Sequence, residues 1–281
     1  MSLSQTDFTF VSTLVRREAA IVLAPGKEYL VEARLIPVAR AVGADNVAAF
    51  LADLQRRPNI DHQRRVVDAL TTNETSWFRD REPFSALTDV VLPELVKTRG
   101  ALRKVRVWSA ASSSGQEAYS LAMTMTEALP TGWSYEIMGS DISTEMVKRA
   151  ETAEYSQVEV NRGLPATQLV QYFERAGARW KVSAALRRNV SFRLMNLTAP
   201  LPAMPPFDVV FLRNVLIYFD VDTKRTVLRN IARMLRPDGW LFLGAAETTI
   251  GIDDSYERVP AGRTSAYRVR SAVPVGAVKR G

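Results

Sequence analysis

The chain has 281 residues, of which 47% are hydrophobic and 24% are charged, proportions that exclude a wholly disordered protein. It contains no cysteine and one histidine, His62, so disulfides, thiolate metal ligands and multi-histidine zinc sites are also excluded. The N-terminus lacks a secretory signal pattern, and no apolar run reaches the roughly 18 residues that a membrane span requires. We therefore expect a cytoplasmic protein that functions without a metal ion.

The net charge of +7 is distributed unevenly along the chain. Acidic and basic residues balance over residues 1–100, whereas residues 162–193 hold seven Arg and Lys side chains against the single acid Glu174. Such a segment is either ordinary solvated surface or a region that attracts an acidic protein or a nucleic acid. Charge alone does not distinguish these two interpretations. Residues 271–281 are small and basic, and we predict a disordered basic tail there.

Residues 1–72 have the apolar spacing of helices and no β-alternation, which predicts a small N-terminal helical domain. Asp7 is predicted to cap a first helix, whose apolar residues recur at intervals of three and four. Asp45 is predicted to cap another helix, and a third is predicted from about Asp61 to Leu70.

From about residue 100, short apolar strands alternate with helices, a pattern typical of a mostly parallel sheet covered by helices on both faces. The predicted strands are Val105–Ala110, Tyr135–Ser140, Val190–Leu194, Phe207–Leu212 and Trp240–Ala245, and the predicted helices are Gln116–Leu129, Ser143–Ala153 and Val221–Leu235. Pro237-Asp238-Gly239 is predicted to be a turn between the last of these helices and the last of these strands. A further run, Ser265–Val269, follows without a helix and is predicted to pair antiparallel at the edge of the sheet.

The alternation breaks between residues 159 and 193, which predicts an inserted subdomain. Pro165–Arg175 has a polar, helix-like pattern, and Ala178–Val182 and Ala185–Arg193 are predicted to form a short hairpin. The predicted organisation is a helical domain at residues 1–72, an α/β domain at residues 73–270, and an inserted β-subdomain at about residues 160–193.

Small residues and one carboxylate mark the ends of the first two predicted strands, where a doubly wound sheet binds ligands. Residues Ser112–Gly115 allow a ligand to approach the backbone closely, although the glycine-rich pattern of nicotinamide dinucleotide sites is absent. Asp141 ends the second strand, where a carboxylate can accept hydrogen bonds from ribose hydroxyls. Asp141 is alternatively a helix cap, but Ser143 already fills that role. Together the two features favour a cofactor that contains adenosine.

Two further clusters of polar residues predict the rim of an active site. Asn73, Thr75 and Arg79 are concentrated where the helical part meets the α/β part. Arg213-Asn214-Val215 ends the fourth predicted strand, and Tyr218 follows about one helical turn later. The alternatives are a linker with a capping asparagine for the first cluster, and a core tyrosine with a surface hydroxyl for Tyr218.

At these positions the chain resembles the CheR-type chemotaxis receptor methyltransferases. The matching motifs, in the family's order and spacing over nearly the whole chain, are TTNETSWFR (71–79), VWSAASSSGQEAYSLAM (107–123), SDIS (140–143), MNL (195–197), FDVVFLRNVLIYF (207–219) and LRPDGWLFLGAAE (235–247). The chain departs from the family at Gln116-Glu117-Ala118, commonly Glu-Glu-Pro, and at Trp77-Phe78, commonly Phe-Phe. The resemblance implies an α/β fold: a class I (Rossmann-like) methyltransferase sheet with an N-terminal helical domain and a small inserted antiparallel β-subdomain.

The resemblance also implies an activity. Such an enzyme transfers a methyl group from S-adenosyl-L-methionine to glutamate side chains of methyl-accepting chemotaxis receptors, and S-adenosyl-L-homocysteine is the product. By this resemblance Asp141 would hold the ribose, Glu117 would hold the cofactor's amino group or a water near it, and Arg79 and Tyr218 would face the methyl-accepting carboxylate. The implied cofactor contacts are Asn73, Thr75, Arg79, Glu117, Asp141, Asn196, Leu197, Asn214 and Val215.

The partners that the resemblance implies are the cytoplasmic methylation helices of chemoreceptors, with Lys27, Arg34 and Arg40 as candidate basic contacts. The loop at residues 174–180 is shorter than in relatives that bind a receptor's C-terminal pentapeptide, so we expect no such tether. We also expect a monomer. No nucleic acid partner is expected, because RNVLIYF (213–219) replaces the Asn-Pro-Pro-Tyr type of motif of enzymes that methylate nucleic acid amines. The alternatives are a class I methyltransferase of another substrate, nucleic acid or another protein, and a non-catalytic signalling partner.

Overall fold

The computed structural model of the protein describes residues 3–270, so the predicted tail at residues 271–281 lies outside the described residues. Its α-helices are α1 (Gln5–Ala19), α2 (Glu28–Ala41), α3 (Val47–Arg56), α4 (Ile60–Leu70), α5 (Glu82–Ala86), α6 (Leu92–Thr98), α7 (Gln116–Ala128), α8 (Thr144–Thr152), α9 (Gln157–Val160), α10 (Ala166–Tyr172), α11 (Ala184–Arg187) and α12 (Val221–Met234). A π-helical turn, Leu87–Val91, joins α5 to α6, and a 3-10 turn, Leu216–Tyr218, precedes α12. Helices α1 to α4 pack around one apolar core that includes Val11, Leu35 and Leu51, so the predicted N-terminal helical bundle is confirmed.

The caps of these first helices differ from the predicted ones. Ser4 caps α1, and its hydroxyl oxygen accepts a hydrogen bond from the Asp7 backbone N–H at 3.1 Å. Asp7 therefore lies in the first turn of α1, where the helix dipole favours a carboxylate. Asn46 caps α3 in place of Asp45, and Asn59 caps α4. The capping side chain lies three residues before the predicted position in α1 and one residue after it in α3, and α4 begins about one residue earlier than predicted.

The strands between residues 3 and 270 are β1 (Lys104–Ala110), β2 (Ser134–Asp141), β3 (Glu154–Tyr155), β4 (Phe173–Ala176), β5 (Arg179–Val182), β6 (Val190–Leu194), β7 (Phe207–Leu212), β8 (Leu235–Leu243), β9 (Tyr256–Ala261) and β10 (Thr264–Val269). Seven of them form one sheet in the order β6-β2-β1-β7-β8-β10-β9. The first five of these run parallel, whereas β10 pairs antiparallel with both β8 and β9. This is the Rossmann-like sheet of class I methyltransferases, and the predicted fold class is confirmed.

Side chains alternate between the two faces of this sheet, as the two-residue period of a strand requires. On β1, Val107 packs into the core on the face covered by α7, and Trp108 packs into the core on the face covered by α12. Both side chains are fully buried. The central strands are therefore apolar on both faces, and polar residues are concentrated at their ends, where the cleft described below lies.

The antiparallel end of the sheet differs from the prediction in two ways. Ser265–Val269 does pair antiparallel, but β9 lies outside it, so the predicted edge position is wrong. Residues 237–239 do not form a free turn before a later strand, because β8 already begins at Leu235. The pairing of β8 with β7 shifts in register between Phe207 and Val209, which accommodates residues 237–239 within the strand. Arg99 donates hydrogen bonds to the Asp238 carboxylate at 2.6 and 2.9 Å.

A second, three-stranded antiparallel sheet has the order β3-β5-β4. Its hairpin joins β4 to β5 through Gly177, so the predicted pairing of residues 178–182 with residues 185–193 is wrong. Residues Val190–Leu194 instead pair in parallel with β2 in the large sheet. The physical reason is the aromatic ring of Phe192, which packs against Tyr119, at 5.6 Å between ring centroids, in the core under the large sheet.

The inserted segment contacts the N-terminal side of the α/β part at a crowded glycine. The Trp77 backbone N–H donates to the Arg162 carbonyl at 3.0 Å, and a Cβ atom added to Gly163 would lie 2.3 Å from the Trp77 carbonyl oxygen. Gly163 also has a φ of +99°, which L side chains rarely adopt. The glycine therefore permits the close approach of residues 162–163 to the segment that carries Arg79.

We expect Gly163→Ala to lower the free energy of unfolding by about 2–4 kcal/mol, since it adds a backbone clash to the strain of a positive φ. Gly177→Ala is the matched control, because Gly177 also has a positive φ but has open space around its Cβ position. The control should lose only about 1 kcal/mol. Urea unfolding of both variants measures the difference, and equal losses would contradict the close approach at Gly163.

Candidate active site

A cleft of about 910 Å3, its open mouth included, lies at the carboxyl ends of β1, β2 and β7. This is the edge of a doubly wound sheet at which ligands bind. All ten site residues that the sequence predicts line this cleft: Asn73, Thr75, Arg79, Glu117, Asp141, Asn196, Leu197, Asn214, Val215 and Tyr218. The structure therefore brings together residues from five separate motifs.

Asp141 is held in the floor of the cleft by backbone hydrogen bonds. Its side chain accepts the Ser113 N–H at 2.8 Å and the Ser143 N–H at 2.9 Å, and the residue is 6% exposed. Burial is the largest influence on this carboxyl and raises its pKa above the ordinary value, although the hydrogen bonds partly offset that effect. Ser143 caps α8 as predicted, so Asp141 is not the cap. A carboxylate has about four acceptor sites, so these backbone donors leave acceptor capacity for a ligand.

Glu117 lies in the first turn of α7 and is tied to the end of β7. Its carboxylate accepts the Ser109 hydroxyl at 2.7 Å and a guanidinium N–H of Arg213 at 2.9 Å. The Arg213 side chain is 1% exposed, and it also donates to the Arg79 carbonyl at 2.8 Å and to the Asp80 carboxylate at 2.5 Å. This one buried guanidinium connects the end of β7, the start of α7 and the loop that carries Arg79.

Arg213 is predicted at the polar rim of the site, but the sequence assigns it no individual role. Its place in the sequence is informative, since an arginine directly after a fully buried strand has its charge at the carboxyl end of that strand. Arg213 is not among the nine residues proposed for the cofactor, although it lies in the same motif as Asn214 and Val215. Its contacts show that it supports two of them, Glu117 and Arg79.

The loop that carries Arg79 has unusual backbone geometry. Phe78, Asp80 and Arg81 all have positive φ values, between 44° and 65°, and none of them is a glycine. Such conformations cost free energy, and they persist only where surrounding contacts impose them. Here the Phe78 N–H donates to the Ser120 hydroxyl at 3.1 Å, and Arg213 binds the other side of the loop. The half-buried Arg79 guanidinium donates to the Glu74 carbonyl at 3.3 Å and retains further donors.

The end of α1 closes the top of the cleft. The Asn196 side-chain amide donates to the Glu18 carbonyl at 2.9 Å, and the Val22 N–H donates to the Tyr218 carbonyl at 3.3 Å. Both polar atoms of the Asn196 side chain have protein partners, because its oxygen accepts the Thr198 N–H and hydroxyl. The helical part thus contacts both walls of the cleft, one wall through Asn196 and the other through Tyr218.

Much of the predicted basic surface is engaged within the protein. Arg34, a candidate receptor contact, donates to the Leu70 carbonyl at 3.0 Å, which fixes the segment that leads into the cleft. Five of the seven basic side chains of residues 162–193 contact other groups: Arg162 with Glu74, Arg175 with the Trp180 ring, Arg179 with Glu159, Lys181 with Glu154, and Arg187 with the Val182 carbonyl. The long-range attraction expected from the charge count is reduced accordingly, because three of these side chains are paired with the local acids Glu74, Glu154 and Glu159.

The sheet order and the ligand cleft at the carboxyl ends of its parallel strands define a Rossmann-like methyltransferase. A family model described as "CheR methyltransferase, SAM binding domain" matches residues 73–264, and one described as "CheR methyltransferase, all-alpha domain" matches residues 6–71. Since the two matches span most of the sequence, the chain belongs to the CheR methyltransferase family.

Individual relatives are similar over nearly their full length. The chain is 39% identical over 276 residues to "Chemotaxis protein methyltransferase 1" of Pseudomonas aeruginosa, with 96% of this chain and 100% of the relative covered. It is 37% identical to "Chemotaxis protein methyltransferase 1" of Vibrio cholerae, with 96% and 99% covered. It is 35% identical to the "Chemotaxis protein methyltransferase" of Escherichia coli, with 88% and 86% covered. The similarity to these methyltransferases therefore extends over both the helical part and the α/β part of the chain.

Proposed function

We propose that this protein transfers a methyl group from S-adenosyl-L-methionine to the side-chain carboxylates of specific glutamates in methyl-accepting chemotaxis receptors, forming glutamate methyl esters and S-adenosyl-L-homocysteine. The reaction serves sensory adaptation in chemotaxis-type signalling. The observation that carries the proposal is that the motif residues shared with this family line one cleft. The protein would be a protein-glutamate O-methyltransferase that acts in the cytoplasm, where the receptors' methylation helices lie. Among residues 3–270, no helix is long and apolar enough to cross a membrane.

The side chains of the cleft suit S-adenosyl-L-methionine. The two carboxylates, Asp141 and Glu117, are acceptors for the ribose hydroxyls and for the amino group, respectively. The apolar side chains of Leu197 and Val215 can cover the adenine. Asn73, Thr75, Arg79, Asn196 and Asn214 supply the remaining contacts in this assignment. A buried acceptor such as Asp141, with unused lone pairs in a cleft, is what a nucleoside with two hydroxyls requires.

The reaction requires few catalytic groups from the protein. A glutamate side chain has an ordinary pKa near 4.3, so at neutral pH it is already an anionic nucleophile and needs no general base. S-adenosyl-L-methionine supplies an activated methyl group when it is bound. The protein must align the carboxylate and exclude water, effects worth up to about 7–11 kcal/mol.

Arg79 and Tyr218 are assigned to the alignment of the acceptor. An arginine that bound the carboxylate too tightly would weaken it as a nucleophile, because its negative charge is consumed in the reaction. We therefore assign Arg79 to the orientation of substrate and cofactor, and Tyr218 to a neutral hydrogen bond to the carboxylate. The attachment of Arg79 to the Glu74 carbonyl supports an orienting role, since it leaves only part of its donors for the acceptor.

The test is transfer of a labelled methyl group to purified cytoplasmic fragments of chemoreceptors, with RNA offered in parallel. Label in the receptor fragment alone supports the proposal. Label in RNA would favour the nucleic acid alternative, and cofactor binding without any transfer would favour a non-catalytic partner. Calorimetry with S-adenosyl-L-homocysteine measures cofactor binding without any receptor or RNA, and so shows whether a protein without transfer activity still binds the cofactor.

We also propose the division of the chain at residues 72 and 73, supported by the two family matches, which end and begin at residues 71 and 73. The inserted β-subdomain assigned to about residues 160–193 is supported by the small sheet, although that sheet begins earlier, with β3. The monomeric state and the lack of a nucleic acid partner stay predictions.

We expect no binding of a receptor's C-terminal pentapeptide at micromolar concentration. The support is the tight hairpin between β4 and β5, where Ala176 pairs with Arg179 and leaves a two-residue connection. A peptide that adds to a sheet edge needs free backbone there, and a short connection offers little of it. Titration of the free peptide into the purified protein measures this. Saturable micromolar binding that is lost on substitution of Gly177 or Arg179 would contradict the expectation.

A further inference from the structure

A carboxylate outside the cleft organises one wall of it. Glu247 follows β8, is 9% exposed, and does not line the cleft. Its two oxygens accept five backbone N–H groups: those of Asn214 at 2.8 Å, Gly244 at 2.7 Å, Val215 at 2.8 Å, Leu216 at 2.7 Å and Ile217 at 3.3 Å. Four of these donors are consecutive residues of the segment between β7 and Tyr218.

These hydrogen bonds hold a conformation that the segment would not adopt unaided. Asn214 has a φ of +59°, and its left-handed conformation turns the chain into the 3-10 turn that ends at Tyr218. A carboxylate suits the task because both of its oxygens are acceptors and it complements a cluster of N–H donors electrostatically. Gly244 allows the approach, since a Cβ atom there would lie 2.7 Å from a Glu247 carboxylate oxygen.

We propose that Glu247 is a positioning residue, which sets the places of Asn214, Val215 and Tyr218 in the cleft through the backbone of residues 214–217. This inference rests on the proposed function, because it assigns those three residues to the cofactor and the acceptor. By this inference Glu247 is necessary for turnover, although its side chain contacts neither the cofactor nor the methyl acceptor. A displacement of about 1 Å in such a site can cost about a hundredfold in rate.

The variant that tests this is Glu247→Gln. A glutamine retains the size, but its amide nitrogen must face either the Asn214 and Gly244 donors or the other three, so one set loses its acceptor. We expect kcat at saturating substrates to fall about 10- to 100-fold at a temperature well below unfolding. The matched control is Asp208→Asn, since Asp208 is another buried carboxylate, accepts the Arg106 N–H and lies at the opposite end of β7. The control should lose stability but keep kcat.

A second readout separates positioning from general destabilisation. Calorimetry with S-adenosyl-L-homocysteine on Asn214→Ala, Glu247→Gln and the double variant forms a thermodynamic cycle. If Glu247 acts through Asn214, Asn214→Ala should weaken S-adenosyl-L-homocysteine binding about tenfold in the otherwise wild-type protein. The same substitution should weaken binding less than about twofold in the protein that already carries Glu247→Gln. Additive effects, or wild-type kcat in Glu247→Gln, would overturn the inference.

Failure of the proposed function and failure of a variant to fold give results that differ from those above. If the wild-type protein does not bind S-adenosyl-L-homocysteine, the proposed function fails, whatever the variants do. If Glu247→Gln does not fold, Gly244→Ala decides, because its methyl group would collide with the Glu247 carboxylate and the Asn214 N–H while the carboxylate itself is retained. Lowered kcat in Gly244→Ala supports the positioning role, and unchanged kcat overturns it.

Discussion

Arg79→Ala should lower turnover at saturating cofactor by about 10²–10³-fold, and should change cofactor affinity by less than about tenfold. The reason is that an orienting side chain acts on the geometry of the reacting groups, whereas the cofactor retains its contacts with Asp141 and Glu117. The loop around Arg79 is held in place by Arg213 and Ser120 through backbone atoms, so removal of the Arg79 side chain keeps these contacts and loses only the hydrogen bond to the Glu74 carbonyl. The measurement is methyl transfer to a receptor fragment, with S-adenosyl-L-homocysteine affinity from calorimetry.

Arg81→Ala is the matched control for this variant. Arg81 has the same charge two residues later in the same loop, is exposed, and does not line the cleft. Its removal changes the net charge equally, so any general electrostatic effect on receptor encounter should be shared by the two variants. Wild-type turnover in Arg79→Ala, or an equal loss in Arg81→Ala, would show that Arg79 does not orient the acceptor.

Asp141→Ala should weaken cofactor binding by about 1.5–3 kcal/mol, or about 10- to 150-fold, the range for hydrogen bonds to a charged group. It should also lower the free energy of unfolding by about 1–3 kcal/mol, because the Ser113 and Ser143 N–H groups lose their acceptor. Calorimetry and urea unfolding separate the two effects. Ser143→Ala is the control, since it removes the cap of α8 and leaves the carboxylate in place. The control should lose about 1 kcal/mol of stability and bind cofactor normally.

The raised pKa of Asp141 adds a pH dependence to that prediction. The ionised carboxylate is a charged acceptor at both oxygens, whereas protonation removes the charge and makes one oxygen a donor, so cofactor affinity should fall as pH is lowered through the pKa of this group. Because burial raises that pKa, the fall should begin at a higher pH than for an ordinary aspartate. Asp141→Asn should remove this pH dependence. A wild-type affinity that stays constant down to the acid limit of folding would contradict the ribose assignment.

The strands and the cleft were predictable because they depend on local patterns. β6 and β7 have the predicted bounds, since apolar and polar residues alternate along β6 and β7 is apolar apart from Asp208. The site followed from the rule that parallel strands end at one edge of a sheet, so polar residues at several strand ends had to meet there. β9 was missed because Glu257, Arg258 and Pro260 give it no apolar alternation, and its pairing with β10 decides its conformation.

The contacts that were not predictable join residues far apart in the chain. Arg213 contacts Glu117 and Asp80, which are 96 and 133 residues away, and no local pattern indicates either pairing. Glu247 binds the backbone of a segment about 30 residues earlier, and backbone donors leave no trace in the sequence. The hairpin of the small sheet was misassigned for a related reason, because the register of β5 is set by β3 and β4 rather than by its neighbour in sequence, β6.

The most direct test of the proposed activity is the chemical nature of the product. A receptor cytoplasmic fragment is incubated with the purified protein and labelled S-adenosyl-L-methionine, and the label is then followed through mild alkaline treatment and peptide mass spectrometry. We expect methyl groups on glutamate side chains that mild base releases as methanol, and no such product with Arg79→Ala in the same time. Label that resists base, or that lies on nitrogen or on RNA, would contradict glutamate O-methylation.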